Sequence, residues 1–318
     1  MSTKTDKIDR LAELTAATSD DQKGAGIWRE AFRGLRRSPL ALTGAVIIAV
    51  FVVMAVIGPF VAPYDPVATT WGDEVSQSQN HFVGMRAENW LGLDQLGRDE
   101  FSRMLIGARQ SLMVGVIATL LGFAVGAALG GISGACQGLG RKLGRTIDTV
   151  IMRFIDMMLA LPSLLLAVSI AALLGRSLTT LMIAVGVVQI PIFARLFRGS
   201  MIAQSHSDYV LAARALGVRR SRIVFAHIVP NSLGPVIVQA TLSLATAIIE
   251  AAALSFLGLG NPDMSQPEWG AMLAKGQTFI SVAPQLALYP AVAIIITALG
   301  FTLLGEAMRE ALDPKLRK

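Results

Sequence analysis

Little in this chain offers chemistry of its own. A single cysteine, Cys136, rules out an internal disulfide, and three histidines without a cysteine partner leave no zinc-ligand spacing. No Gly-x-x-x-x-Gly-Lys-Ser/Thr stretch is present to cradle nucleotide phosphates, so the chain is not expected to hydrolyse ATP. His-Glu-x-x-His and Gly-x-Ser-x-Gly are missing as well, which argues against a membrane protease or hydrolase. Charged residues make up only 16% of the chain, against about 25% in soluble domains. The net charge of +6 lies beside apolar runs with little aromatic interleaving, so no nucleic-acid partner is expected.

What is there is apolar. Apolar runs, interrupted by charge only at Asp156 and Glu250, cover Leu40 to Val61, Ser111 to Ile132, Phe154 to Leu174, Leu178 to Ala194, Pro235 to Leu257 and Pro284 to Leu304. At 1.5 Å per helical residue Leu40 to Val61 can cross a hydrocarbon layer of about 30 Å, and the others, each about 17–25 residues, fall in the usual range for a span. The expectation is an all-α polytopic membrane protein with six transmembrane helices. Of the 28 lysines and arginines, 21 fall before Leu40, in Arg141 to Arg145, in Arg195 to Arg222 or after Met308. Basic residues favour the cytoplasmic side, so both termini are expected there. Tyr64 to Gly107, with seven acidic residues against three arginines, is expected outside.

The expected organisation is therefore a tail and interfacial helix over 1–39, a first span over 40–61 and an extracytoplasmic loop over 62–107. A transmembrane domain over 108–306 and a tail over 307–318 complete it. The first twenty-odd residues are polar enough to be disordered. The polar lead is also too long for a secretory signal. Ile27, Trp28, Phe32 and Leu35 alternate with arginines, which reads as an interfacial helix.

Three features inside the spans carry expectations. Gly115, Gly122, Gly126, Gly130, Gly131 and Gly134 repeat at near-helical spacing, a stripe suited to close helix packing. Asp148, Arg153 and Asp156 cluster where the third span begins, and the i,i+3 spacing of the last two predicts an ion pair. Glu250 stands in an otherwise apolar span, where a carboxylate must be paired, protonated or wet. It is a candidate pathway residue, or else hydrogen-bonds Ser243, Thr246 or a neighbouring helix.

Ser207 to Asn231 is the longest basic, helix-forming stretch between apolar runs. Ser207 or Asp208 suits a helix start, and Tyr209, Ala212, Ala213 and Leu216 fall on one face at helical spacing. Gly217 stands where a left-handed end residue belongs, and Pro230 is expected to stop the helix carrying Ile223 to Ile228. The paired alanines leave a flat face that a foreign surface can approach closely.

This stretch resembles the cytoplasmic coupling loop of ATP-binding-cassette importer permeases: Glu-Ala-Ala, three residues, Gly, nine residues, Ile, one residue, Leu-Pro. Ala212, Ala213, Gly217, Val229 and Pro230 fit that frame, while Leu211 replaces the glutamate and His227 the isoleucine. Trp90 to Leu112 and Ala253 to Leu273 are similar to segments of the dipeptide, oligopeptide and nickel branch. The resemblance implies a type I importer permease of a bacterial inner membrane, with a coupling loop over 199–231. It also implies a second homologous permease, an extracytoplasmic solute-binding protein, and two ATPase subunits that hold ATP and magnesium, with no cofactor in this chain. Asp208, Tyr209, Leu211, Ala212, Ala213, Arg214, Gly217 and Pro230 would then face the ATPase. The implied solute is a dipeptide or oligopeptide, the alternative a nickel chelate or another small polar solute. A secondary transporter is disfavoured by a lone intramembrane acid and no evident internal repeat.

Overall fold

A computed structural model describes residues 33–78, 82–137, 142–263 and 265–312, and the described residues are organised almost wholly as helices. Helix α1 (Pro39–Val61) begins where Ser38 accepts the Ala41 amide at 3.3 Å and Pro39 fills the first turn. After a short helix α2 (Gly72–Gln77), helix α3 (Glu100–Gln137) runs 38 residues. At 1.5 Å per residue it is about 57 Å long, well beyond a bilayer core of about 30 Å. It therefore starts inside the stretch read as an external loop.

The third apolar run is not one helix. Helices α4 (Lys142–Leu159) and α5 (Ser163–Leu174) meet at 93° across Ala160 to Pro162. Pro162 has no amide hydrogen and biases Leu161 away from helical geometry, so the chain breaks there although it stays uncharged. Helix α6 (Leu178–Ser205) follows, then the short α7 (Asp208–Ala215) and α8 (Arg220–Ile223). Helices α9 (Val229–Phe256), α10 (Trp269–Gln277) and α11 (Gln285–Leu312) complete the order. Among the described residues five helices are long and apolar enough to span a membrane, and the bent α4–α5 pair, taken as one span, makes six.

Of the interfacial helix expected over 27–37, only 33–37 is described, and it is helical. The start expected to be disordered and the end of the expected tail, 313–318, lie outside the described residues. Helix α11 carries the chain to Leu312, past the expected boundary at 307.

Close backbone approach holds α3 against α6. A Cβ on Gly122 would meet the Gly186 carbonyl at 2.8 Å, and one on Gly126 the Ile190 carbonyl at 2.6 Å. The glycine stripe is thus a packing seam, as its spacing suggested. The Trp90–Leu112 and Ala253–Leu273 segments also meet. Trp269, fully buried, donates from Nε1 to Met104 O at 3.1 Å and from its amide to Ser111 Oγ at 3.1 Å, with its ring against Gly107.

The described residues of 62–99 form a cap on this end of the bundle, and its buried charges are paired internally. Asp94 takes the Arg98 Nε at 2.6 Å and the Arg103 Nε at 3.4 Å, and Arg103 reaches Pro66 O at 2.8 Å. Asp99 accepts from Asn89, the Ser102 amide and the Ser102 hydroxyl. All of these side chains are buried, and pairing offsets a desolvation cost that would otherwise be several kcal/mol per ion. At the α10 start the Glu268 carboxylate accepts the Gly270 and Ala271 amides at 2.9 and 3.1 Å. Burial raises its pKa above the ordinary carboxylate value, with those hydrogen bonds pulling the other way.

Candidate functional site

At the end of the bundle opposite the cap, the chain leaves α6 and turns twice before entering α9. Beneath this turn lies an apolar cluster of Phe193, Phe197, Met201, Val210, Ile223, Ile228 and Val236. Helix α7 rests on it through Val210, fully buried, and Ala213, half-buried. The remaining side chains point away. Tyr209, Leu211 and Leu216 are 40%, 52% and 83% exposed, and Asp208, Ala212 and Arg214 are exposed beside them. Tyr209, Ala212 and Leu216 therefore share an open face, while Ala213 does not belong to it. The buried cluster claims the Val210–Ala213 side, one turn apart on the helix.

The helix ends as its glycine suggests. Gly217 adopts φ +74°. Its amide bonds the Arg214 carbonyl at 3.0 Å, and the Val218 amide reaches back to the Ala213 carbonyl at 3.1 Å. This paired closure, with Val218 and Ala213 on the same apolar cluster, is a Schellman end. The start differs from expectation: Ser207 gives no side-chain cap, because its hydroxyl donates to Gln204 O at 2.6 Å instead.

Pro230 does not stop the helix. A π turn over Val224–Ile228 joins α8 to α9, with the Val229 amide bonded to Val224 O, and Pro230 sits in the first turn of α9. The wider turn opens the backbone where a proline ring would otherwise meet the carbonyl four residues back. Phe225 on that turn is 74% exposed. Leu216 and Phe225 are thus exposed apolar side chains in a segment that also carries the exposed Arg214, Arg219, Arg220 and Arg222. The signal in the sequence was an apolar side chain kept amid arginines, and Leu211 in the glutamate position is exposed as well.

Nearby, the acids of α4 are paired across the bundle rather than along their own helix. Arg198 clasps Asp148 through Nε and Nη2 at 2.7 and 2.8 Å, and Ser133 donates to the same carboxylate. Asp156 pairs with Arg195 at 2.5 Å in place of the expected Arg153. An i,i+3 neighbour is worth only about 0.2–0.5 kcal/mol, too little to compete with a cationic side chain offered by the facing helix.

Glu250 lies half-buried on α9, with Ser163, the first residue of α5, beside its carboxylate. Of the two alternatives within its own helix, the Thr246 hydroxyl bonds Ser243 O at 3.1 Å, and Ser243 Oγ takes Gln239 Nε2 at 3.3 Å. The neighbouring helix thus brings a hydroxyl towards it, at the break in the third span. Gln239, Ser243, Thr246 and Glu250 recur at four- and three-residue intervals, a polar stripe along one face of α9. Gln189 of α6 joins it by donating to Ser243 O at 3.3 Å. That stripe was legible in the spacing, but Glu250 alone was singled out.

A family model described as the binding-protein-dependent transport system inner membrane component matches residues 126–318. This chain belongs to that family. A second model, the N-terminal transmembrane domain of oligopeptide transport permease C, matches residues 26–80 of this permease. The dipeptide transport system permease protein of Alkalihalophilus pseudofirmus is 43% identical over 298 residues, 94% of this chain and 93% of that one. The glutathione transport system permease protein of Escherichia coli is 39% identical over 290 residues, 91% of each. Among solved structures, the inward-facing methionine transporter MetNI matches with a TM-score of 0.54 at 17% identity. That match covers 66% of this permease and 96% of that chain and speaks to the fold. The protein is thus a membrane permease subunit rather than an enzyme, set in the inner membrane by several spans.

Proposed function

We propose that this permease imports short peptides, the solute class common to the dipeptide and glutathione systems for which its relatives are named. It would share a translocation pathway with a second homologous permease and receive solute from an extracytoplasmic binding protein. Two ATPase subunits, which bind ATP and magnesium, would dock on the loop over 199–231. In this reading the cap faces outward and both termini lie in the cytoplasm.

The observation that carries the reading is the set of exposed apolar side chains, Tyr209, Leu211 and Leu216 around a short helix with a glycine-closed end and Phe225 on the following turn, outside the apolar spans. Large apolar side chains exposed in this number beside charged ones mark a contact surface for another protein. Closure of the ATPases would draw the two coupling loops of the permease pair together and turn the pathway outward. The polar stripe from Gln239 to Glu250 gives that pathway a lining of hydrogen-bonding groups within an apolar span.

The test is uptake of labelled dialanine by the whole complex, with its binding protein, in proteoliposomes. ATP-dependent uptake is expected, and none for dialanine or longer peptides would refute the peptide assignment. Glu250→Gln keeps volume and hydrogen bonding but loses the charge that can meet a substrate ammonium. We expect uptake to fall at least tenfold while the subunits remain assembled. Wild-type uptake removes Glu250 from the pathway, and failed assembly makes it structural.

A further inference from the structure

Between the start of α3, the α5–α6 turn, the end of α9 and helix α10, the cap encloses a cavity of about 370 Å³. That falls in the range of small-molecule sites, about 300–1,000 Å³. Four acidic and four basic side chains line it, a balance that suits a solute carrying both charges. Most are already engaged. Asp94 holds Arg98 and Arg103, the Glu268 carboxylate takes the first amides of α10, and Asp263 accepts the Ser265 amide at 2.9 Å.

Glu100 is different. It is 3% exposed, lines the cavity, and accepts no side-chain hydrogen bond from another described residue. The buried Tyr289 hydroxyl, within its electrostatic reach, also has no hydrogen-bond partner among the described residues. A buried carboxylate without donors is costly unless something in the cavity supplies them. At the rim, Arg176 and Lys275 are exposed and pair with no described carboxylate.

We infer that this cavity is a reception site for a small zwitterionic solute, its ammonium held by Glu100 and its carboxylate by Arg176 and Lys275. A primary ammonium supplies three donors to the one lining acid whose carboxylate accepts none, next to the Arg103 and Arg98 charges that already act on it. The inference rests on the peptide reading above, and it places a binding site in the permease itself at the mouth of the pathway.

The experiment uses the complete complex in nanodiscs without its binding protein, titrated with dialanine by calorimetry. Glu100→Gln should weaken binding at least tenfold. N-acetyl-dialanine, whose amine is blocked, should bind the wild-type complex as weakly as dialanine binds the variant. That comparison decides the matter even where Glu100→Gln does not assemble. Arg176→Ala with Lys275→Ala should weaken dialanine binding but leave dialanine amide unaffected. Equal affinity of the wild type for dialanine and its acetylated form overturns the inference. So does an absence of dialanine binding in a complex that still imports peptide with its binding protein, and there the peptide reading survives. A complex that imports no peptide at all overturns both.

Discussion

Leu216→Asp should strip the ATPase subunits from the purified complex while the two permeases stay together. Leu216 is 83% exposed in the isolated chain, so nothing in its own fold depends on it. In the proposed complex it becomes buried, and losing that burial costs about 2 kcal/mol. Placing an unpaired carboxylate in the same contact adds at least several kcal/mol. Together these weaken docking at least 100-fold by the usual conversion of free energy to affinity. Purification through a tag on the second permease, followed by quantification of ATPase subunits, reads the effect. Ala213→Asp is the contrasting variant. Ala213 is half-buried against the cluster of Phe197, Ile223 and Ile228, so a charge there should disturb the seat of the loop itself and lower thermal stability. Full ATPase retention by Leu216→Asp would show that the exposed face of α7 is merely solvated.

Gly217→Val should leave the complex assembled but separate ATP hydrolysis from uptake. No atom lies within 4 Å of the position a Cβ would take on Gly217, so the substitution introduces no clash. Its effect is conformational. At φ +74° a residue with a side chain is disfavoured by about 1–2 kcal/mol, and a β-branched one by more. The helix end then unwinds, the bonds from Gly217 to Arg214 and from Val218 to Ala213 are lost, and α7 moves relative to the spans beneath it. The expected result is residual ATPase activity with uptake reduced at least tenfold. Gly217→Asn, a residue that tolerates this conformation, should restore most of the uptake. Equal loss in both variants would place the defect elsewhere than in backbone geometry.

The spans and the loop were legible because both rest on local rules. Uncharged length marks a membrane helix, and a glycine after an apolar repeat marks a helix end. What was not legible depended on residues far apart in the chain. Asp148 and Asp156 find Arg198 and Arg195, 50 and 39 residues away, and sequence spacing favoured the nearer Arg153. Pro230 read as a stop because a π turn has no sequence signature as plain as proline's own. The break at Pro162 was written in the sequence, yet the run around it stayed apolar and its length suggested a single helix. The acidic stretch after α1 looked like a solvated loop, whereas Asp94, Arg98, Asp99 and Arg103 fold inward and satisfy one another. Ala213 was placed on the docking face because periodicity fixes which residues share a side, but not which side the bundle will cover.

The most direct test of the account is the sidedness and shielding of Leu216. Cys136→Ser removes the one native thiol, after which Leu216→Cys and, in the cap, Gln77→Cys are each exposed to an impermeant maleimide. The account predicts that only Gln77→Cys reacts in intact cells, that Leu216→Cys reacts only from the cytoplasmic face of opened membranes, and that bound ATPase subunits protect it. Reaction of Leu216→Cys in intact cells, or equal reaction with and without the ATPase subunits, would contradict it.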